Sequence, residues 1–219
     1  MRWQINNKGI RGFIPSLTIQ ANPQISNTLA RLRPGARICD VGAGGRKITN
    51  DTFTIDGFVK EGTDLVCDIH QIPLPDESFD CIFCTGTLEH VEDPHKVFSE
   101  IYRLVKKQGI VHIEVPFIQG FHADPADYWR WTLDGLRLFC KKGGFDELDS
   151  GVHIGPASAT NWVVNYLICT LFDKGLIHKV FDAIFRIILA PIRYLDYLLI
   201  KKPRSAHIAS AVYFVGRKA

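Results

Sequence analysis

The run Asp40-Val41-Gly42-Ala43-Gly44-Gly45 sets three glycines just behind an aspartate that ends an apolar stretch. A glycine turn between a strand and a helix lets a ligand approach the backbone, and the helix N-terminus offers N–H groups. Many nucleotide binders share that property, so spacing and charge must discriminate. A dinucleotide fingerprint needs glycine at positions 42, 44 and 47, but position 47 is Lys47, whose side chain obstructs the backbone approach required by the pyrophosphate of NAD. Asp40 would repel a phosphate and suit an ammonium group. A nucleoside carrying a zwitterionic amino-acid tail meets both conditions.

Other chemistry-bearing residues stand at comparable places. Asp56 and Asp68 each close a short apolar run, where an aspartate either caps a turn or accepts hydrogen bonds from a ligand. Glu89-His90 follows another such run; His90 is either an active-site group or a helix-start or core histidine. The stretch from Phe121 to Thr132 gathers aromatic rings with His122, Asp127 and Arg130. Aromatic faces attract a cation or shape an apolar acceptor pocket, and His122 or Asp127 is placed to take a proton. The alternative is a packed loop, with Arg130 paired to Asp127 and the tryptophans in the core.

Positioning these residues requires alternating strands and helices. Short apolar runs at 36–41, 52–56, 64–68, 79–85 and 109–116 read as buried strands. Between the last two, Asp93-Pro94 opens a helix as N-cap and first residue; Val97, Ile101, Leu104 and Val105 recur at helical spacing, and Lys106-Lys107-Gln108-Gly109 closes it. A second helix runs from Leu133 to Lys142, capped by Thr132, and a short one is expected from Ile25 to Leu32. The implied fold is α/β: a Rossmann-like doubly wound sheet, mostly parallel, with ligands at the carboxyl ends of the strands. Those ends bring Asp40, Asp56, Asp68, Thr85 and Pro116 around one crevice.

S-adenosylmethionine is a ligand of the kind the loop suits, and Ile38-Cys39-Asp40-Val41-Gly42-Ala43-Gly44 resembles the first motif of class I methyltransferases. The segments Ile72 to Asp80, Leu88-Glu89-His90-Val91 and Glu100 to Gly109 resemble later blocks of the ubiquinone/menaquinone-biosynthesis-like, type 11 branch. The resemblance covers roughly Ala36 to Phe145. It implies a seven-stranded sheet whose last strand is antiparallel. It also implies that Asp40, Gly42, Ala43 and Gly44 face the methionine part and that Asp56 takes the ribose hydroxyls. Asp68 and Ile69 would meet adenine, and Thr85, Glu89 and His90 would lie beside the reacting sulfur. One departure is visible: only Arg46 to Asp51 separates the loop from the second strand, so the usual first helix shrinks to about a turn. The stretch from His122 to Thr132 also resembles a His-x-x-Pro-x-Asp-Tyr-x-Arg-x-Thr signature of small bacterial methyltransferases associated with surface-glycan pathways.

The bulk properties are those of a globular enzyme-sized chain: 219 residues, 46% hydrophobic and 22% charged. A net charge of +3 is too weak to imply nucleic acid on its own, so none is expected. Cys81 and Cys84 have metal-like spacing, but positions i and i+3 of a strand face opposite sides, and no metal is expected. The N-terminus lacks a signal-peptide core, and no uncharged run is apolar for long enough to span a bilayer, which points to the cytoplasm.

The organisation expected is a lead-in over 1–35, a cofactor-binding core over 36–160, an apolar and basic helical insertion over 161–204, and a final strand within 205–219. Pro191 should kink or divide the insertion. From Lys174 to Arg204 it has a wide apolar face and a basic rim, which suits a lid, a dimer surface or a helix in a membrane interface, the last at the inner face of the membrane. The function expected is methyl transfer to a small-molecule, glycan or lipid-linked acceptor. The alternatives are an inactive binding module of the same fold at a membrane surface and, disfavoured by Lys47, a nicotinamide oxidoreductase.

Overall fold

The computed structural model describes residues 16–21, 23–59, 61–171 and 175–219. The first part of the expected lead-in, and Lys174, at which the basic segment was taken to begin, lie outside them. Two compact units are present. Of the described residues, one holds 16–21, Pro116–Asp127 and those within Val152–Val212; the other holds those within Pro23–Val115, Tyr128–Gly151 and Tyr213–Ala219.

The sheet has seven strands: β1 (Ile38–Val41), β2 (Phe53–Asp56), β3 (Leu65–Val66), β4 (Phe79–Thr85), β5 (Val105–Pro116), β6 (Phe145–Ile154) and β7 (Ala211–Lys218). Their order is β3-β2-β1-β4-β5-β7-β6. β1 runs parallel to both β2 and β4, β2 to β3, and β4 to β5, while the last strands are antiparallel. The chain therefore winds outward from β1 to β3 and then returns to β4 on the other side of β1. The winding reverses between β1 and β4, and their carboxyl ends frame the crevice. The doubly wound architecture expected from the alternating pattern is the one observed.

On one face of the sheet, α1 (Gln24–Leu29) lays Ile25 and Leu29 against Cys81, Phe83, Ile110, Tyr213 and Val215. Elsewhere in the same unit, α2 (Pro94–Leu104) and α3 (Leu133–Lys142) contribute an aromatic cluster: Phe98 lies 4.7 Å from Phe139 and 5.5 Å from Phe145, ring centre to ring centre. Both helices start as their sequences require. Asp93 accepts from the backbone N–H of Lys96, and Thr132 from that of Gly135.

Three boundaries differ from the sequence reading. Residues 106–109 do not cap α2 but form the start of β5. Lys106 Nζ donates to Asp80 at 2.9 Å, and a register shift between Phe79 and Cys81 absorbs the extra length. Pairing with β4 outweighs the local helix-stop signal. β6 was not singled out, because its outward residues Asp146 and Glu147 blur the alternation, as charged residues do on an edge strand. β7 begins at Ala211 rather than Ala206, because Pro203–His207 forms a 3-10 turn.

The other unit is built on α4 (Pro156–Thr170), α5 (Leu176–Leu189) and α6 (Asp196–Leu199). Pro191 ends α5 as expected, leaving a 3-10 segment over Ala190–Leu195. Asn161 Nδ2 donates to the carbonyls of Leu17 and Leu189, both at 3.0 Å, tying the ends of this unit together. Much of α5 is apolar and exposed, including Ile177, Ile187 and Ile188. No helix among the described residues is long and apolar enough to cross a membrane.

Candidate active site

The glycine loop leaves β1 and turns without starting a helix; residues 42–51 form turns only. Its backbone donors are consequently spent on β2. The N–H groups of Gly42 and Ala43 both donate to Ile55 O, at 2.8 and 3.2 Å, and Gly44 N donates to Asp56 Oδ2 at 2.7 Å. The shortened first helix foreseen in the sequence thus removes the helix-terminus donors altogether, and a strand-end carboxylate pins the loop. Gly42 has φ +76, and a Cβ there would lie 2.2 Å from Thr87 Oγ1, so both backbone angle and packing demand glycine. Thr87 in turn donates its hydroxyl to Val41 O at 3.2 Å.

Asp40 is fully buried at the end of β1. Its Oδ2 receives Arg46 Nε at 3.4 Å, and Arg46 Nη2 also reaches Thr85 O at 3.0 Å. Burial pushes the Asp40 carboxyl up from 3.8 to about 6; Arg46 pulls it down, and Glu114 and Asp56 push it up. Asp40 Oδ1 and Thr85 Oγ1 are buried with no hydrogen-bond partner among the described residues. They lie on the two strands that flank the winding reversal.

Asp56 Oδ1 accepts from Phe58 N at 3.0 Å, so each of its oxygens holds one backbone N–H. Asp68 is different: its side chain is 68% exposed and accepts from both the backbone N–H and Nδ1 of His70, and the backbone N–H holds its carboxyl below the usual range. Ile69 beside it is buried. Glu89 is buried and His90 half-buried in the 3-10 turn Leu88–His90 that follows β4; His90 Nε2 lies 3.8 Å from Glu89 Oε1. One unit therefore brings together Asp40, Gly42, Ala43, Gly44, Asp56, Thr85, Glu89 and His90, with Asp68 and Ile69 following β3.

His122 and Asp127 belong to the other unit. There they form a pair: Asp127 Oδ2 accepts the backbone N–H of His122 at 2.8 Å and lies 3.6 Å from its Nδ1. Nδ1 also points at Gly120 O, 2.9 Å away. A carbonyl only accepts, so Nδ1 is the donor in that contact.

Sequence reasoning passed over three residues. Arg46 was taken as part of a spacer, yet it is the cation on Asp40. His112 and Glu114 interrupt the apolar run of β5 and are buried there. His112 Nε2 meets Glu114 Oε1 at 2.9 Å, its Nδ1 meets Thr28 Oγ1 at 2.8 Å, and Gln24 Nε2 donates to Glu114 at 3.0 Å. Two polar residues inside an apolar strand were a legible signal, because buried polar groups require partners. Arg103 explains why two of the motif blocks occur together. It donates to the carbonyls of Ile72 and Leu74 and to Asp76 in one block, and to Glu100 in the other.

Comparison with known proteins follows the same lines. A family model described as a methyltransferase domain matches residues 40–113. The tRNA U34 carboxymethyltransferase of Sulfurimonas denitrificans is 27% identical over 139 residues, covering 55% of this chain and 46% of that protein. The enzyme of the same name from Campylobacter lari is 22% identical, covering 49% of this chain and 42% of its own length. The matched region thus spans less than half of these relatives. Among solved structures, Burkholderia thailandensis 1,6-didemethyltoxoflavin-N1-methyltransferase, with bound S-adenosylhomocysteine, superposes with a TM-score of 0.57 at 15% identity, covering 91% of this chain and 78% of that one.

The partner expectation is corrected by these relatives. The sequence reading excluded nucleic acid, yet the relatives are named for a tRNA. A net charge of +3 averages over the chain, whereas phosphate contacts need only local cations. The partners expected in its place, a small-molecule, glycan or lipid-linked acceptor with membrane contact through 174–204 or a homodimer, are set aside with it. The stretch that carries the glycine loop and the ordered motif blocks is therefore the one that matches the methyltransferase-domain model, on a doubly wound sheet that superposes on a solved methyltransferase.

Proposed function

We propose that this domain methylates an RNA nucleotide and seats the amino-acid tail of S-adenosylmethionine on Asp40. The observation that carries the seat is the pair of buried, unpartnered oxygens Asp40 Oδ1 and Thr85 Oγ1. A primary ammonium has three donors and no acceptor, so it satisfies both oxygens and compensates the buried charge. Asp56 has lone pairs remaining for the ribose hydroxyls after holding Gly44 and Phe58. Ile69 and Asp68 flank the adenine, and Gly42, Ala43 and Gly44 allow close approach at the loop.

When bound, S-adenosylmethionine supplies a methyl carbon on a sulfonium that departs as a neutral thioether. The chain's own work is alignment and proton removal. Glu89 and His90 line the turn after β4. Within its own unit, His122 forms with Asp127 the pair assigned to proton handling. The RNA acceptor is supported by the two tRNA-modifying relatives and by the exposed run Lys201, Lys202 and Arg204, of a kind that engages phosphates.

The test is incubation of the full chain with methyl-labelled S-adenosylmethionine and total tRNA. Label that precipitates with the RNA and is released by ribonuclease is expected. Unlabelled RNA alongside measurable cofactor binding would remove the RNA acceptor and leave the cofactor assignment standing.

A further inference from the structure

Beyond the crevice, the same unit carries a pocket of about 310 Å³ lined by Glu92, Asp93, His95 and Trp129-Arg130-Trp131. Its walls are two indoles, the ring of Pro94, one guanidinium, an imidazole and two carboxylates. Trp129 is 40% exposed, yet its ring is fixed, because Nε1 donates to Val91 O at 2.9 Å. Arg130 Nη1 donates to the carbonyl of Trp129 at 2.8 Å. Trp131 is braced by Phe139, at 4.8 Å and 63° between planes, and its Nε1 is buried without a hydrogen-bond partner among the described residues. The Asp93 carboxylate is committed to the first turn of α2.

An aliphatic occupant would leave the buried Trp131 Nε1 without an acceptor. A planar heteroaromatic ring instead stacks on an indole and offers donors to Glu92 and an acceptor to Trp131 Nε1. The pocket is also coupled to the turn after β4. Glu92 follows His90 by two positions, and Tyr128 N donates to Glu89 O at 2.7 Å. We infer that the Trp129–Trp131 pocket receives an unstacked base of the RNA acceptor, an inference that rests on the RNA reading above. Fixed aromatic faces with a neighbouring cation are how proteins hold single-stranded bases while tolerating their sequence.

The experiment compares two fluorescein-labelled RNAs, a stem-loop with an all-uridine loop and a blunt duplex of equal length, by anisotropy with the full chain. Wild type should prefer the stem-loop. Trp129→Ala should lose stem-loop affinity by about 5- to 150-fold, the range that about 1–3 kcal/mol per stacked base converts to. It should bind the duplex as wild type does, while Trp129→Phe should retain most of the preference. Calorimetric binding of S-adenosylhomocysteine, unchanged in both variants, confirms that they are folded. If Trp129→Ala keeps the full stem-loop preference, the pocket inference is overturned and the RNA reading survives. If wild type binds neither RNA, the RNA reading falls and the pocket inference with it.

Discussion

The guanidinium of Arg46 lies against the buried carboxylate of Asp40, Nε to Oδ2 at 3.4 Å, and bridges to the carbonyl of Thr85. The cation is half exposed, at 49%, while the acid is fully enclosed. One Asp40 oxygen is therefore compensated from the surface, and the other faces inward without a partner. This asymmetry is what a buried acid awaiting a second cation presents, and it gives Asp40 a pH signature.

Burial raises the Asp40 pKa from 3.8 to about 6. Between those values the native state holds a proton that the unfolded chain has released, so this group's stabilisation is full below about pH 4 and is lost as pH rises through 6, on the order of 3 kcal/mol. Asp64, Asp68, Asp80 and Glu100, whose carboxyls are lowered, act in the opposite sense, losing stability as pH falls. The difference between wild type and Asp40→Asn in denaturant unfolding isolates the Asp40 slope. Asp40→Asn should gain on wild type as pH rises from 4 to 7; parallel curves would contradict the assignment.

Gly42→Ala meets two obstacles at once, a positive φ and the Thr87 side chain. We expect a loss of about 2 kcal/mol or more in stability, together with weakened cofactor binding. Thr87→Ser, which removes only one of the close atoms, should not rescue it. A melting temperature within error of wild type would show that the loop has another conformation available.

His112→Leu removes the group that bridges the buried Thr28 and Glu114. The expected cost is about 3 kcal/mol, from groups left unsatisfied rather than from volume. Amide exchange of α1 should accelerate together with global destabilisation, since Gln24 and Thr28 anchor that helix. Unchanged exchange in 24–29 would contradict the anchoring role.

Asp196 is fully buried and accepts from the backbone N–H groups of Ala157 and Ser158 and from Ser158 Oγ. It caps α4 from a distant helix, and its carboxylate fits because residue 155 is glycine. Asp196→Ala should cost about 2–3 kcal/mol, and proteolysis should then cut the 156–199 helices before the sheet.

The sequence disclosed the winding of the sheet because buried parallel strands are continuous apolar runs, and the runs ending at Asp40, Asp56 and Thr85 became β1, β2 and β4. It also disclosed the helix starts at Asp93 and Thr132, where side chain and backbone make a local bond. Boundaries set by distant partners were not legible. The extension of β5 back to Val105 depends on Asp80, and β6 depends on its place at the edge. In the site, strand-end acids were visible as acids, but their division of labour was not. Asp56 holds the loop, Asp40 is held by Arg46, and Asp68 stands in solvent, distinctions that follow only from which backbone groups the turn leaves unpaired.

The most direct measurement of the central claim is calorimetric titration of the full chain and of Asp40→Asn with S-adenosylhomocysteine and with 5′-methylthioadenosine, which lacks the amino-acid tail. Wild type should bind the tailed ligand at one site and more tightly than the tailless one, and Asp40→Asn should lose about tenfold or more on the tailed ligand alone. No binding of S-adenosylhomocysteine by wild type, or an equal loss on both ligands, would contradict the seat on Asp40.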